Sequence, residues 1–234
     1  MAGYVGVRAA WSELEEQWSR EVLAWRIDRF HRAEMKHLLG RERGELCIRA
    51  FAQLIRASSL INVWSAVVDH DWEKLAKPRA FSARFPTTRH FCFEHVLSQL
   101  SVWAKEEKQN APFEIVFDND MERTASEAIY AEYQGARTHP NFSCPLKWAD
   151  SGRFPMIEAA DLAAGELQVY WLAFEPTWTY HKAPPQFGAA LGGKGLSECG
   201  LWASESLPVA VADFHANGDA FSLRSATGGL IIPV

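Results

Sequence analysis

Pro112–Asp120, PFEIVFDND, is the stretch whose reading decides the fold. An apolar run containing Ile115 and Val116 ends in Asp118-Asn119-Asp120, which reads as a strand closing on polar residues. Before it, His90–Glu107 carries Phe91, Val96, Leu97, Leu100 and Trp103 at helical spacing, and after it Arg123–Tyr133 reads as another helix. The same alternation occurs upstream. Glu45–Ser58 (ELCIRAFAQLIRAS) is an amphipathic helix, and Leu60–Val68 (LINVWSAVV) is a β-branched strand ending at Asp69, His70 and Asp71. At the start, Ala2–Val7 reads as a short strand. Trp11–Ile27 places Trp11, Leu14, Trp18, Val22 and Trp25 on one helical face, with Ser12 and the acids Glu15 and Glu16 as its expected N-terminal cap. Strands alternating with helices predict an α/β fold.

Between these elements the sequence predicts a helical turn at Phe30–Met35, a break at Gly40 and Gly44, and a short helix at Trp72–Leu75. Lys77–Arg89 reads as a loop whose basic face (Lys77, Arg79, Arg84, Arg89) could meet phosphates, although charge runs are commonly just solvated. Pro155–Leu172 reads as a helix rich in small residues. Beyond Phe174, prolines and glycines accumulate and periodicity fades. The expected organisation is therefore a main domain over 1–174 and an irregular C-terminal extension over 175–234. In that extension Leu207–Phe214, ending near Asp213, and Phe221–Leu223 are the apolar runs able to return to the sheet.

Composition bounds the function. Of 234 residues, 48% are apolar and 23% charged, enough for a substantial core. A net charge of −5 argues against a strong nonspecific grip on a phosphate backbone, while leaving room for a local basic groove. Cys47, Cys92, Cys144 and Cys199 are scattered without a Cys-x-x-Cys pair and read as free thiols. No basic leader precedes an apolar run, and none reaches the ~18 apolar residues of a membrane span, so the expected location is cytoplasmic. Gly192-Gly193-Lys194-Gly195 lacks the spacing and the following Ser or Thr of a phosphate-binding loop.

Two carboxylates stand out by position. Asp118 closes a strand, the place where open α/β sheets set their functional groups. Asp161 interrupts the small-residue helix at Ala159-Ala160-Asp161-Leu162-Ala163-Ala164, where its helix propensity is poor. The small neighbours would let the helix approach another element and bring the carboxylate toward the sheet. The ordinary alternatives are a strand-end turn for Asp118 and a helix-to-backbone tie for Asp161. His31 and Glu34, three apart in one turn, and Glu158, three residues before Asp161, are secondary candidates, while Asp120 suits the cap of the following helix.

In sequence order, AGYVG, FHRAEM, IVFDND and PMIEAADLAAGE resemble domain-of-unknown-function family 3800, over about Ala2 to Phe174. The resemblance implies a ribonuclease-H-like mixed sheet flanked by helices, with acids converging at one end. Asp118 and Asp161 match the family's second and third acids and would serve as catalytic residues and ligands of Mg or Mn. Hard cations of this kind prefer carboxylate oxygens, and a pair of them can activate water against a phosphodiester. The family opens on a strand ending in Asp-Glu-Ser-Gly, whereas this sequence starts at AGYVG, as if truncated at its N-terminus. The expected function is a metal-dependent nuclease-like protein acting on nucleic acid. The alternatives are an inactive binding module on the same scaffold or a truncated gene product.

Overall fold

The computed structural model describes residues 1–67, 72–74, 77–119, 123–135, 140–150 and 154–174, and the short strands at 200–202 and 230–231. In chain order the elements are β1 (Ala2–Val5), α1 (Arg8–Trp25), α2 (Arg32–Leu39), α3 (Arg41–Ala57), β2 (Ile61–Val67), α4 (Arg79–Arg84), α5 (Thr88–Glu106), β3 (Val116–Asp118), α6 (Arg123–Gly135), β4 (Lys147–Ala149), α7 (Pro155–Phe174), β5 (Gly200–Trp202) and β6 (Leu230–Ile231). The fold is mixed α/β, mostly helical with small sheets. Among the described residues no helix is long and apolar enough to cross a membrane.

The chain divides into two units. The first contains Met1, Val63–Trp148 and the strands β5 and β6; the second contains Ala2–Asn62 and the residues from Ala149 through α7.

In the first unit β2 pairs in parallel with β5, Ser65 facing Gly200 and Val67 facing Trp202. β5 pairs antiparallel with β6, Gly200 facing Ile231. The main chain of Met1 exchanges two hydrogen bonds with Ser65: its amino group donates to the Ser65 carbonyl at 2.8 Å, and the Ser65 N–H donates back at 2.9 Å. The region expected to be an irregular extension thus adds strands to the sheet. It does so through 200–202 and 230–231; Leu207–Phe214, Asp213 and Phe221–Leu223 lie outside the described residues.

α5 is buried on nearly every side from His90 to Val102, as a helix must be when it runs through the middle of a core. Its polar residues are accommodated by bonding. His95 Nδ1 lies 2.9 Å from Ser65 Oγ, and Gln99 Nε2 donates to the Trp64 carbonyl at 3.3 Å. Burial holds the His95 imidazole down to about 3, so the ring is neutral. Aromatic packing completes this unit: Phe81, Phe85 and Phe91 lie 5.0–5.8 Å apart by ring centroids, and Phe113 meets Phe142 edge-on at 5.5 Å.

Two expectations here are corrected. Lys77–Arg89 is not a loop: α4 occupies Arg79–Arg84, and α5 already begins at Thr88. Phe81 and Phe85 explain the difference, because their complete burial anchors the segment more firmly than its basic residues solvate it. The strand expected over Pro112–Phe117 is shorter, since β3 covers only Val116–Asp118. Asn141 accounts for this. Its side-chain amide donates to the carbonyls of Gln109 (3.0 Å) and Ala111 (2.9 Å), and its carbonyl accepts from Phe113 N–H (2.7 Å). The Gln109 and Ala111 carbonyls and the Phe113 N–H, ahead of β3, are therefore satisfied without a strand partner. The ladder starts where Lys147 N–H donates to the Ile115 carbonyl at 2.9 Å.

The second unit is built on the Trp stripe. Leu14 and Trp18 of α1 are buried, and Trp11, Val22 and Trp25 pack beside them at partial burial. Trp18 meets Phe30 edge-on at 5.4 Å and Phe51 at 4.6 Å between ring centroids. Met35, Cys47, Ile48, Ile55, Ala159 and Leu162 fill the remaining volume. The expected cap at Ser12 is not used: α1 begins four residues earlier, at Arg8, with Val7 in the capping position and no side-chain cap. Gly40 separates α2 from α3 at φ +80° and ψ 159°, a region open only to glycine. Gly44 does not break the helix as expected. It lies within α3, where the missing side chain lets α2 come close.

Candidate functional site

Asp161, His31, Glu34 and Glu158 all belong to the second unit, on α7 and around the start of α2. The small residues of α7 do bring it close to neighbouring elements, since Ala159, Leu162 and Ala163 are completely buried. What the helix carries toward its partner is a clasp. Asp161 Oδ2 accepts a bond from the Arg32 N–H at 3.2 Å. Arg32 is the first residue of α2, whose leading N–H groups have no acceptor within the helix. His31 occupies the capping position but makes no side-chain cap bond, so Asp161 supplies the carboxylate oxygen from across the fold. The Arg32 side chain returns the contact, its Nε donating to Glu166 Oε1 at 2.7 Å.

Glu158, one turn before Asp161, is 5% exposed and accepts the Trp18 indole N–H at 2.6 Å. Burial raises its carboxyl above the ordinary range, against the pull of the Trp18 bond and of a backbone bond from Phe30, and the nearby Asp161 charge adds to the rise. It ties α1 and Phe30 to α7.

His31 is half-buried between two acids. Its Nε2 lies 3.9 Å from Asp161 Oδ2 and its Nδ1 3.6 Å from Glu34 Oε1, both beyond hydrogen-bond length. His31 Nδ1 is buried and makes no hydrogen bond. Glu34 faces Arg29 at 3.3 Å on the exposed side.

Asp118 ends β3 in the first unit, partly buried, as the sequence placed it. It and Asp161 thus stand in different units. Asp120 lies outside the described residues. Among the described residues no group of three or more His, Cys, Asp or Glu side chains is gathered so as to hold a metal ion. The Asp161 surroundings offer one hard oxygen donor of the right kind for Mg or Mn, but by themselves they do not complete a site.

The basic face expected at Lys77–Arg89 is also changed, because Arg84 is committed to the buried Glu94 and the exposed Glu132. Sequence reading missed this cluster and the His95–Gln99–Ser65 seam. The available signal was the mixture of Glu94, His95, Ser98 and Gln99 among apolar residues in a helix with no clean polar face.

A substitution separates a cap from a free acid. Asp161→Ala should lower unfolding stability by about 1 kcal/mol, the usual worth of a capping oxygen, while Asp161→Asn, which keeps an acceptor, should lose less. Urea-denaturation midpoints measure both, and equal losses would show that the bond to Arg32 carries no weight. No protein-family model matches this chain, and no curated protein and no solved structure matches it.

Proposed function

We propose that this chain is a binding or interaction module on a ribonuclease-H-like, nuclease-derived scaffold, in which the acids of α7 hold the fold together. The observation that carries this reading is the bond from Arg32 N–H to Asp161 Oδ2, with Glu158 and Glu166 engaged on Trp18 and Arg32 in the same way. An acid employed as a helix cap has a reason to be present without any metal. Nucleic acid is the partner class this ancestry suggests, through local contacts, since the net charge of −5 does not favour a nonspecific grip.

One observation supports the second reading, a divalent-metal-dependent nuclease. The Asp161 side chain remains 34% exposed beside His31, within reach of a ligand. In that reading Asp118 and Asp161 together hold Mg or Mn, and a phosphodiester of nucleic acid is the substrate.

Titration with Mg and with Mn, followed by calorimetry, decides between them. The module should show only weak binding, with dissociation constants above about 1 mM, corresponding to less than about 4 kcal/mol. Incubation of labelled DNA and RNA with the metal-loaded protein should then leave both intact. Micromolar metal binding abolished by Asp161→Asn and by Asp118→Asn, with cleavage lost in parallel, would establish the nuclease instead.

A further inference from the structure

The charge of this chain is unevenly distributed. Residues 26–57 contain eight Lys and Arg against four Asp and Glu, a local charge of +4 in a chain of −5, so the remainder carries −9. All of these residues belong to the second unit, on α2, on α3 and in the segment that leads into them.

The arginines of α3 gather on its outer side. At about 3.6 residues per turn and about 1.5 Å per residue, Arg41, Arg49 and Arg56 fall within about 80° of one another around the axis and span about 22 Å along it. The opposite side, with Cys47, Ile48, Phe51 and Ile55, is buried, so packing fixes which way the stripe faces. All three arginines are exposed, and among the described residues none of their guanidinium groups makes a hydrogen bond or an ion pair. Elsewhere arginines do find acids: Arg20 pairs with Glu16, Arg29 with Glu34 and Arg84 with Glu94.

The acids along the stripe are Glu42 and Glu45. A hydrogen bond from Lys36 of α2 holds the Glu45 carboxyl below its ordinary range against partial burial, and the charges of Lys36, Arg49 and Arg32 lower it further. Counting Lys36, four cations stand against two acids, with the exposed, neutral Gln53 between Arg49 and Arg56. Exposed charge is commonly just solvated. Here the cations stay unpaired in a chain that has acids in excess, and they lie in a line on one rigid helix.

We propose that the Arg41–Arg49–Arg56 face of α3 is a docking surface for the phosphate backbone of nucleic acid. This rests on the reading of the chain as a binding module with a nucleic-acid partner, and it adds the surface that does the binding. A stripe of about 22 Å runs beside about six phosphates of one duplex strand, which are spaced about 3.4 Å apart along the axis. Each guanidinium can donate charge-assisted hydrogen bonds to phosphate oxygens and release condensed counterions. Such contacts position the duplex without reading its sequence, and the −9 carried by the remainder disfavours docking through other surfaces.

Fluorescence anisotropy of a labelled DNA duplex, titrated with the full chain at several salt concentrations, tests the surface. Three phosphate contacts predict an association constant that falls about 40-fold between about 50 and about 200 mM salt. Arg49→Gln combined with Arg56→Gln leaves one contact, so the same change of salt should weaken binding only about fourfold. Both positions are exposed, and glutamine matches arginine as a helix former, so the variant keeps its fold. Lys77→Gln combined with Arg79→Gln removes the same charge from exposed positions of the first unit and should leave the salt dependence unchanged. A duplex still bound, with undiminished salt dependence, after Arg49→Gln and Arg56→Gln would overturn this surface while leaving nucleic acid as the partner. No binding by the unaltered protein at about 50 mM salt would overturn the surface and the partner class together. Poly-glutamate bound as tightly as the duplex would overturn it in favour of an acidic protein partner.

Discussion

Trp18→Ala should lower unfolding stability by about 5 kcal/mol, the largest single loss expected in this protein. Trp18 is completely buried and edge-packed on Phe30 and Phe51, so truncation opens a cavity that two aromatic neighbours cannot fill. Loss of a large aromatic to alanine costs about 3–5 kcal/mol on packing alone. A second term arises here because the indole N–H is the donor to the buried Glu158, whose carboxyl would be left without it. An unsatisfied buried acceptor adds about 1–3 kcal/mol. The two terms separate by substitution: Trp18→Phe keeps most of the apolar volume and loses only the donor, so it should cost about 2 kcal/mol. Urea midpoints at constant m-value measure both. Domain stabilities of about 5–15 kcal/mol make the alanine variant marginal or unfolded at ordinary temperature. A midpoint that did not move would remove the aromatic trio from the core of the second unit.

Gly44→Ala is the next largest expected effect, and its sign is the informative part. At an exposed position inside a helix this change stabilises by about 1 kcal/mol, because alanine is the better helix former. Here a Cβ would stand 2.6 Å from Lys36 Cα and 2.7 Å from the Met35 carbonyl oxygen. Both are backbone atoms of α2, so no side-chain rotation can relieve the overlap. The two helices are joined at Gly40 and must separate to admit the methyl group, which should cost about 3 kcal/mol. Gly3→Ala is the matched control, with nothing within 4 Å of the added atom. It should be neutral or stabilising by about 0.5 kcal/mol. Thermal melts of the three proteins under one condition decide the matter, and a stabilised Gly44→Ala would mean that α2 does not pack on α3 at this point.

The elements that were legible in the sequence are those where one physical signal dominates. The Trp11–Trp25 stripe, the β-branched run at Leu60–Val68 and the small-residue helix from Pro155 each announce their structure through period or composition alone, and each is present. The direction of burial along α1 was legible for the same reason. Where the signal was local but the outcome depended on a distant partner, the reading failed. Ser12 has the chemistry of a cap, yet α1 starts at Arg8 without one. Lys77–Arg89 looks like a solvated basic loop until Phe81 and Phe85 find a buried aromatic cluster. Gly44 reads as a breaker, and only the close passage of α2 makes it a packing residue.

Asp161 shows the same division at the candidate site. Its oddness among alanines was visible in the sequence, and so were both ordinary explanations for it. Which group it meets was not, because Arg32 lies 129 residues away along the chain and no local pattern encodes that pairing. The Arg84–Glu94–Glu132 cluster is the stronger case. The acids and the arginine are unremarkable in sequence, and the carboxyl of Glu94 is altered only because folding removes it from water and makes it share one cation. Local sequence determined which segments are helix or strand and which faces are apolar, since those depend on neighbours within a few residues. The tertiary structure alone decided which polar groups lose their water and what they receive in exchange, since desolvation is a property of the packed whole.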